Sequence, residues 1–265
     1  MSVLRPYLTA FRIRAKLEGR YRGAALGGII TQGFFGVVLC YLYIALWGAR
    51  DAAALKATVT YVWIQQIFFR ALLSAESELT EQIRTGSIAY AVLRPVDLHA
   101  FWFCRTLAQS SVGVAMRMIP TVLLQLILPR ELKMTGPESA AALLQFLLSL
   151  ALGFGCIAQI RLLCMAVMMK WMDGRGIVAM INLSMMFLCG NIIPLTLFPD
   201  SLQALIRFQP FAQLLDAPIR AYLHAMEAGE FLLHLSVQAG WFLLLTLFSR
   251  RLWCRNLRLL TVQGG

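Results

Sequence analysis

Residues 83–97 read IRTGSIAYAVLRPVD: a glycine, a proline, two arginines and an aspartate set between two long apolar runs. Upstream, Leu79 and Ile83 stand four apart, on one face of a short helix that also carries Glu76, Glu78 and Glu81. Gly86 breaks that helix, and Ser87 reads as the N-cap of a second short helix over about residues 88–93. Arg94, pushed out of α geometry by Pro95, ends it. Leu98, Phe101, Trp102 and Phe103 follow as an aromatic stretch of the kind that settles at a membrane interface. The expected product is a compact helix–break–helix presenting Tyr90 and Leu93 beside Arg84 and Arg94. Such a knob suits docking in a cleft of a partner protein; an amphipathic loop helix resting on lipid headgroups fits the same residues.

The rest of the chain sets its solvent. Of 265 residues, 59% are hydrophobic and 14% charged, where a soluble domain carries about a quarter as charges. So little polar surface cannot cover the chain in water, and lipid is the expected surrounding. A net charge of +11 points to nucleic acid in a soluble protein. Here the surplus of Lys and Arg in the cytoplasmic loops of membrane proteins accounts for it, and no basic face interleaved with aromatics appears. No nucleic-acid partner is expected. The six cysteines form no CxxC pair and lie mostly in apolar runs, as small buried hydrophobes rather than a disulfide framework or a zinc site. The basic N-terminal segment precedes an apolar run too long for a signal peptide.

Six runs reach the roughly 20 residues that cross a hydrocarbon core: 24–47, 57–75, 107–128, 140–169, 177–198 and 231–248. The expected fold is therefore all-α, a single polytopic membrane domain over residues 1–265 with six transmembrane helices. An even count places both termini on one side. If that side is cytoplasmic, it holds fifteen Lys and Arg against six on the outer side, as the positive-inside rule requires. The loop over residues 76–106 then faces the cytoplasm.

Three arginines fall inside these runs, and all thirteen acids fall outside them. A lone arginine at the bilayer centre costs about 2.5 kcal/mol or more. It is retained where water, a partner subunit, a lipid phosphate or an anionic cargo compensates it. Snorkelling suffices for Arg70 near its helix end; Arg117 and the deeper Arg161 are candidates for a pathway or an interface, with a functional or subunit-contact role favoured at Arg117. Gln65, Gln66, Asn182 and Asn191 are weaker pointers that fit interhelical hydrogen bonds worth about 0.6 kcal/mol each. Gly19, Gly23 and Gly27 recur every fourth residue, a stripe that permits close helix contact. Beyond Cys189, Pro194 and Pro199 break the fifth run. Asp200 or Ser201 can cap a short helix, and a further piece starts at Phe211 and stops at Pro218. These pieces are too short to span and read as half-helices in the outer leaflet; a surface loop fits residues 216–230 nearly as well.

Glu81, Ile83, Arg84, Thr85, Gly86, Ser87, Ile88, Tyr90, Leu93, Arg94, Pro95 and Asp97, followed by aromatics and Arg105, resemble the first cytoplasmic loop of type-2 ABC exporter permeases. The similarity is greatest to the bacterial branch whose loop reads Ile-Arg-x-Gly-x-Ile, then Leu-x-Arg-Pro-Val. The six-run layout and the closing residues 262–265, VQGG, resemble that branch as well. The resemblance implies that residues 83–95 form a coupling helix seated in a groove of a separate ATP-binding subunit, which holds ATP and Mg. It also implies a second permease chain, identical or related, an N-terminal elbow helix over residues 7–22, and re-entrant outer half-helices after the fifth span. Its second and fifth spans would enclose the pathway, making Gln65, Gln66, Asn182, Asn191 and Pro194 lining candidates. The implied location is the bacterial inner membrane, multi-pass, with both termini cytoplasmic.

No G-x-x-x-x-G-K-[ST] phosphate loop, HExxH, GxSxG or intramembrane carboxylate pair occurs in the sequence. No catalytic residue, metal ligand or cofactor is expected on this chain. A non-ATP-driven carrier or a membrane scaffold stands as the alternative; a proton- or ion-coupled carrier usually needs an intramembrane carboxylate.

Overall fold

The computed structural model describes residues 4–20, 22–47, 52–72, 77–171, 174–224 and 226–259. Glu76, the packing at Gly23 and residues 262–265 lie outside the described residues. The described residues are mostly helical, with no strand among them. In chain order they form α1 (Arg5–Arg20), α2 (Arg22–Trp47), α3 (Ala52–Leu72), α4 (Ser77–Arg84), α5 (Ile88–Val92) and α6 (Leu98–Ile127). Then come α7 (Ala140–Lys170), α8 (Arg175–Leu188), α9 (Asp200–Phe208), α10 (Asp216–Leu223) and α11 (Ala228–Arg258).

Among the described residues three helices, α6, α7 and α11, are long and apolar enough to cross a membrane, and α2 contributes a shorter apolar piece, Ile30–Leu46. α7 is the centre of the bundle. Its Cys156, Ile157 and Ile160 pack with Tyr61, Ile64 and Phe68 of α3 and with Leu214, Leu215 and Ile219 around α10. α11 lies against α7, yet only 6% of its most apolar window is buried. Leu232, Leu243, Leu247 and Phe248 face outward, and so much bare apolar surface needs a covering of lipid or a partner.

Several boundaries differ from expectation. The third run begins as helix at Leu98, not at residue 107, because Asp97 is an N-cap whose carboxylate accepts from the Ala100 N–H at 3.1 Å. The fifth run, 177–198, is not one helix. α8 has 14 residues and reaches about 21 Å at 1.5 Å per residue, short of the roughly 30 Å hydrocarbon core. It stops before either proline, at Gly190, whose φ of +84° turns the chain. A Cβ there would stand 2.1 Å from the Tyr61 hydroxyl, so glycine is required twice over. Neither Asp200 nor Ser201 caps α9; Pro199 takes that place without a side-chain bond. Pro218 does not end a segment but sits in the first turn of α10, where its missing N–H has no intrahelical role. α10 is no surface loop: Asp216, Ala217, Ile219, Ala221 and Tyr222 are buried.

The Gly19–Gly27 spacing is not the contact stripe of α2, since a Cβ at Gly19 or Gly27 would meet nothing within 4 Å. The close face is offset by one residue. Gly28 meets Arg117 and Gly36 meets the Trp63 ring, where a Cβ would stand 2.7 Å from the indole. Gln32 and Cys40, at the same four-residue spacing, are buried between and beyond them.

Candidate functional site

The knob is built by one turn of backbone. Thr85 N–H donates to the Glu81 carbonyl at 2.9 Å, and Gly86, at φ +71°, reverses the chain into α5. Ser87 stands at the expected N-cap position, but with a helical φ of −65° and ψ of −13° its side chain makes no capping bond. Its hydroxyl pairs with the Thr85 hydroxyl at 2.9 Å and donates to the Gln82 carbonyl at 3.4 Å instead. Leu79 and Ile88 point inward and are sealed against Trp102 of α6, Leu162 and Met165 of α7 and Trp253 of α11, with Ile83 packed beside them. The opposite face is bare: Tyr90 is 73% exposed and Leu93 81%, and Arg94 and Pro95 are exposed with them. Arg84 is exposed too but staples α4, donating from Nε and Nη2 to the two Glu81 oxygens at 3.0 and 2.8 Å. That hydrogen bond holds the Glu81 carboxyl below the usual glutamate range.

Charges tie this knob to the bundle. Arg14 of α1 bridges Glu78 of α4 at 3.0 Å and Glu18 at 3.1 Å. Arg105 of α6 also pairs with Glu78 and lies over the Phe101 and Trp102 rings. Arg70, at the end of α3, stands 3.7 Å from Glu18, so it has a partner and does not merely snorkel. Asp97 joins the chain's distant ends: its N–H donates to the Tyr7 hydroxyl at 3.0 Å, and its carboxylate accepts from Arg250 at 2.8 Å. Each part-exposed pair contributes only about 0.2–1 kcal/mol; their effect is to hold α1, α3, α4, α6 and α11 in register. Sequence reading missed this network because its partners lie up to 153 residues apart. Asp97 alone had a local signal, an Asp directly before a helical run.

The interior polar residues fall into separate places. Gln65 is buried and its side-chain amide donates to the Asn191 carbonyl, tying α3 to the turn after α8; Pro194 is buried in that same turn and Gln66 is buried on α3. Asn182 is elsewhere. It lines a cavity of about 390 Å³ at the base of the knob with Thr80, Glu81, Arg84 and Arg175. Arg161 is 2% exposed and donates from Nη2 to the Ala71 carbonyl at 2.7 Å. It satisfies one of the open carbonyls at the end of α3 and sits where the helix dipole favours a cation. Arg117 is 9% exposed, its Nη1 buried without a hydrogen-bond partner among the described residues. On the far side of the bundle, Asp216 is fully buried, accepting from Arg220 Nε at 2.8 Å and from the Tyr61 hydroxyl at 3.3 Å. This pairing spans 155 residues and had no sequence signal.

Among the described residues no cluster of His, Cys, Asp and Glu has the makings of a metal site. The knob is a bare tip on a buried anchor, fastened by ion pairs to the bundle. No curated protein matches the chain. The family model described as ABC-2 family transporter protein matches residues 29–264, which takes in the knob and all three long apolar helices, and the chain belongs to that family of multi-pass membrane proteins.

Proposed function

We propose that this chain is the permease subunit of an ATP-driven exporter. In this reading six crossings form the membrane domain, and a second permease chain, identical or related, completes the pathway. The residues 83–95 knob docks a separate ATP-binding subunit that carries ATP and Mg. Both termini lie on the cytoplasmic side of a bacterial inner membrane, and α1 rests as an elbow helix at the headgroups.

The observation that carries the reading is the two-faced knob. Leu79 and Ile88 are sealed while Tyr90 and Leu93 are bare, as a part needs to be when it receives a push and passes it on without yielding. Aromatic and arginine anchors around a small apolar tip are the composition of a protein-docking hot spot. Membership of the ABC-2 transporter family supports a partner ATPase.

The alternative, an ion-coupled carrier, draws on the buried Asp216. Its two oxygens are already engaged by Arg220 and Tyr61, which favours a structural role. Purification of the full-length chain under mild conditions decides between the two. An ATP-binding subunit in stoichiometric amount, lost when Tyr90 and Leu93 are both changed to alanine, is the expected result; ion-driven uptake without any such subunit would overturn the proposal.

A further inference from the structure

Arg117 and Arg70 form a pair of cations with too few anions. Arg70 crosses α6 one turn before Arg117, its Cγ lying 3.2 Å from where a Gly113 Cβ would stand, and its charge acts directly on Arg117. Arg117 reaches back over α2, with its Nη2 2.6 Å from where a Gly28 Cβ would be. Glu18 serves Arg14 and Arg70, and Glu78 serves Arg14 and Arg105. Three arginines therefore share two carboxylates, and Arg117, a fourth, pairs with neither.

A groove of about 540 Å³ begins one turn further along both helices. Ile30, Gly33 and Val37 of α2 and Pro120, Leu123 and Ile127 of α6 line it with apolar surface. The two helices run in the same direction, since Gly28 meets Arg117 and Gly33 meets Leu124. The groove thus leads away from the arginines along the bundle, open on one side.

We propose that α2, α3 and α6 bind an acidic phospholipid, its phosphate between Arg70 and Arg117 and one acyl chain in the α2–α6 groove. A phosphate offers the acceptor oxygens that a guanidinium engages best. A partner helix laid in the groove would cover its apolar walls but leave the Arg117 Nη1 without a hydrogen-bond partner. Phospholipid joins both chemistries in one molecule. The inference needs only the membrane setting and extends beyond the permease reading.

The test uses the full-length chain in neutral detergent, without an ATPase subunit, so that its failure is separate from failure of the coupling reading. Phosphatidylglycerol, phosphatidylcholine and inorganic phosphate are titrated in turn and retention is read by native mass spectrometry. Phosphatidylglycerol should be retained over phosphatidylcholine, and millimolar inorganic phosphate should not displace it. Arg117→Gln should weaken its binding about tenfold or more, the loss of one charge-assisted hydrogen bond, and Arg117→Lys should weaken it less. Gly33→Leu, which fills the groove and leaves the arginines in place, should weaken it as well. Equal retention of the two lipids, displacement by phosphate, or undiminished binding by both Arg117→Gln and Gly33→Leu would overturn the proposal. If Arg117→Gln does not fold, the wild-type lipid competition and Gly33→Leu decide alone.

Discussion

Leu93 and Ile88 stand five residues apart on one small helical element, and the proposed docking predicts opposite phenotypes for them. Leu93 is 81% exposed, so Leu93→Ala removes nothing the folded chain relies on and stability should shift by no more than about 0.5 kcal/mol. In a docked complex the same side chain goes from water into a cleft. Fully burying a leucine contributes about 1.5–3 kcal/mol, of which Leu93 has some four-fifths still to gain, so truncation should weaken docking by roughly ten- to thirtyfold. Tyr90, 73% exposed, should act in the same way, and the double variant should abolish measurable association. Ile88 is fully sealed against Trp102, Leu162 and Trp253. Ile88→Ala leaves a cavity under the knob and should cost about 2–5 kcal/mol of stability. The assay pairs thermal unfolding of the detergent-solubilised chain with its affinity for the proposed ATP-binding subunit. Unchanged affinity in the Tyr90, Leu93 double variant would refute the reasoning, as would a loss of thermal stability in that variant as large as that of Ile88→Ala.

Further expectations rest on other contacts. Glu78→Gln keeps shape but removes the charge that Arg14 and Arg105 share; stability should fall by about 1 kcal/mol in low salt and less in high salt, while ATPase stimulation by cargo falls more than docking affinity does. Gly190→Ala imposes a positive φ on an L residue, about 1–2 kcal/mol, and drives a Cβ into the Tyr61 hydroxyl; thermal unfolding should show a loss of at least that size, part of it restored by Tyr61→Phe. Asp216→Asn leaves the part-exposed Arg220 without its buried partner and should cost about 1–3 kcal/mol, with Arg220→Gln in the same chain recovering a portion; strict additivity of the two changes would contradict a direct pair.

Hydropathy made the long helices legible because α6, α7 and α11 are apolar over more residues than any soluble helix needs. Glycine and proline made the knob legible, since Gly86 does adopt a positive φ and the helices end near it. Other features were hidden for reasons of distance or competition. Pro194 and Pro199 are louder breakers than Gly190, yet the chain turns first at the glycine because Tyr61, from α3, needs the space. A four-residue glycine spacing predicts a contact stripe without saying which register faces the neighbour, and Arg117 and Trp63 select Gly28 and Gly36. Arg161 reads as a stray charge in an apolar run; the end of α3, brought 2.7 Å away, gives it a carbonyl to hold. The shared carboxylates Glu18 and Glu78 are ordinary surface acids until α1 is laid beside α6.

The unbroken length of α6 has a further implication. It is capped by Asp97 and runs 30 residues with Pro120 inside it, about 45 Å, so under the proposed function one continuous helix would join the docking tip to the far end of the bundle. Asp97 is gripped from both chain ends by Tyr7 and Arg250, which fixes the fulcrum. Under the proposed function a tilt imposed at the aspartate would be carried along the helix as by a lever, and residues far from it, Leu126 and Ile127 among them, would move most.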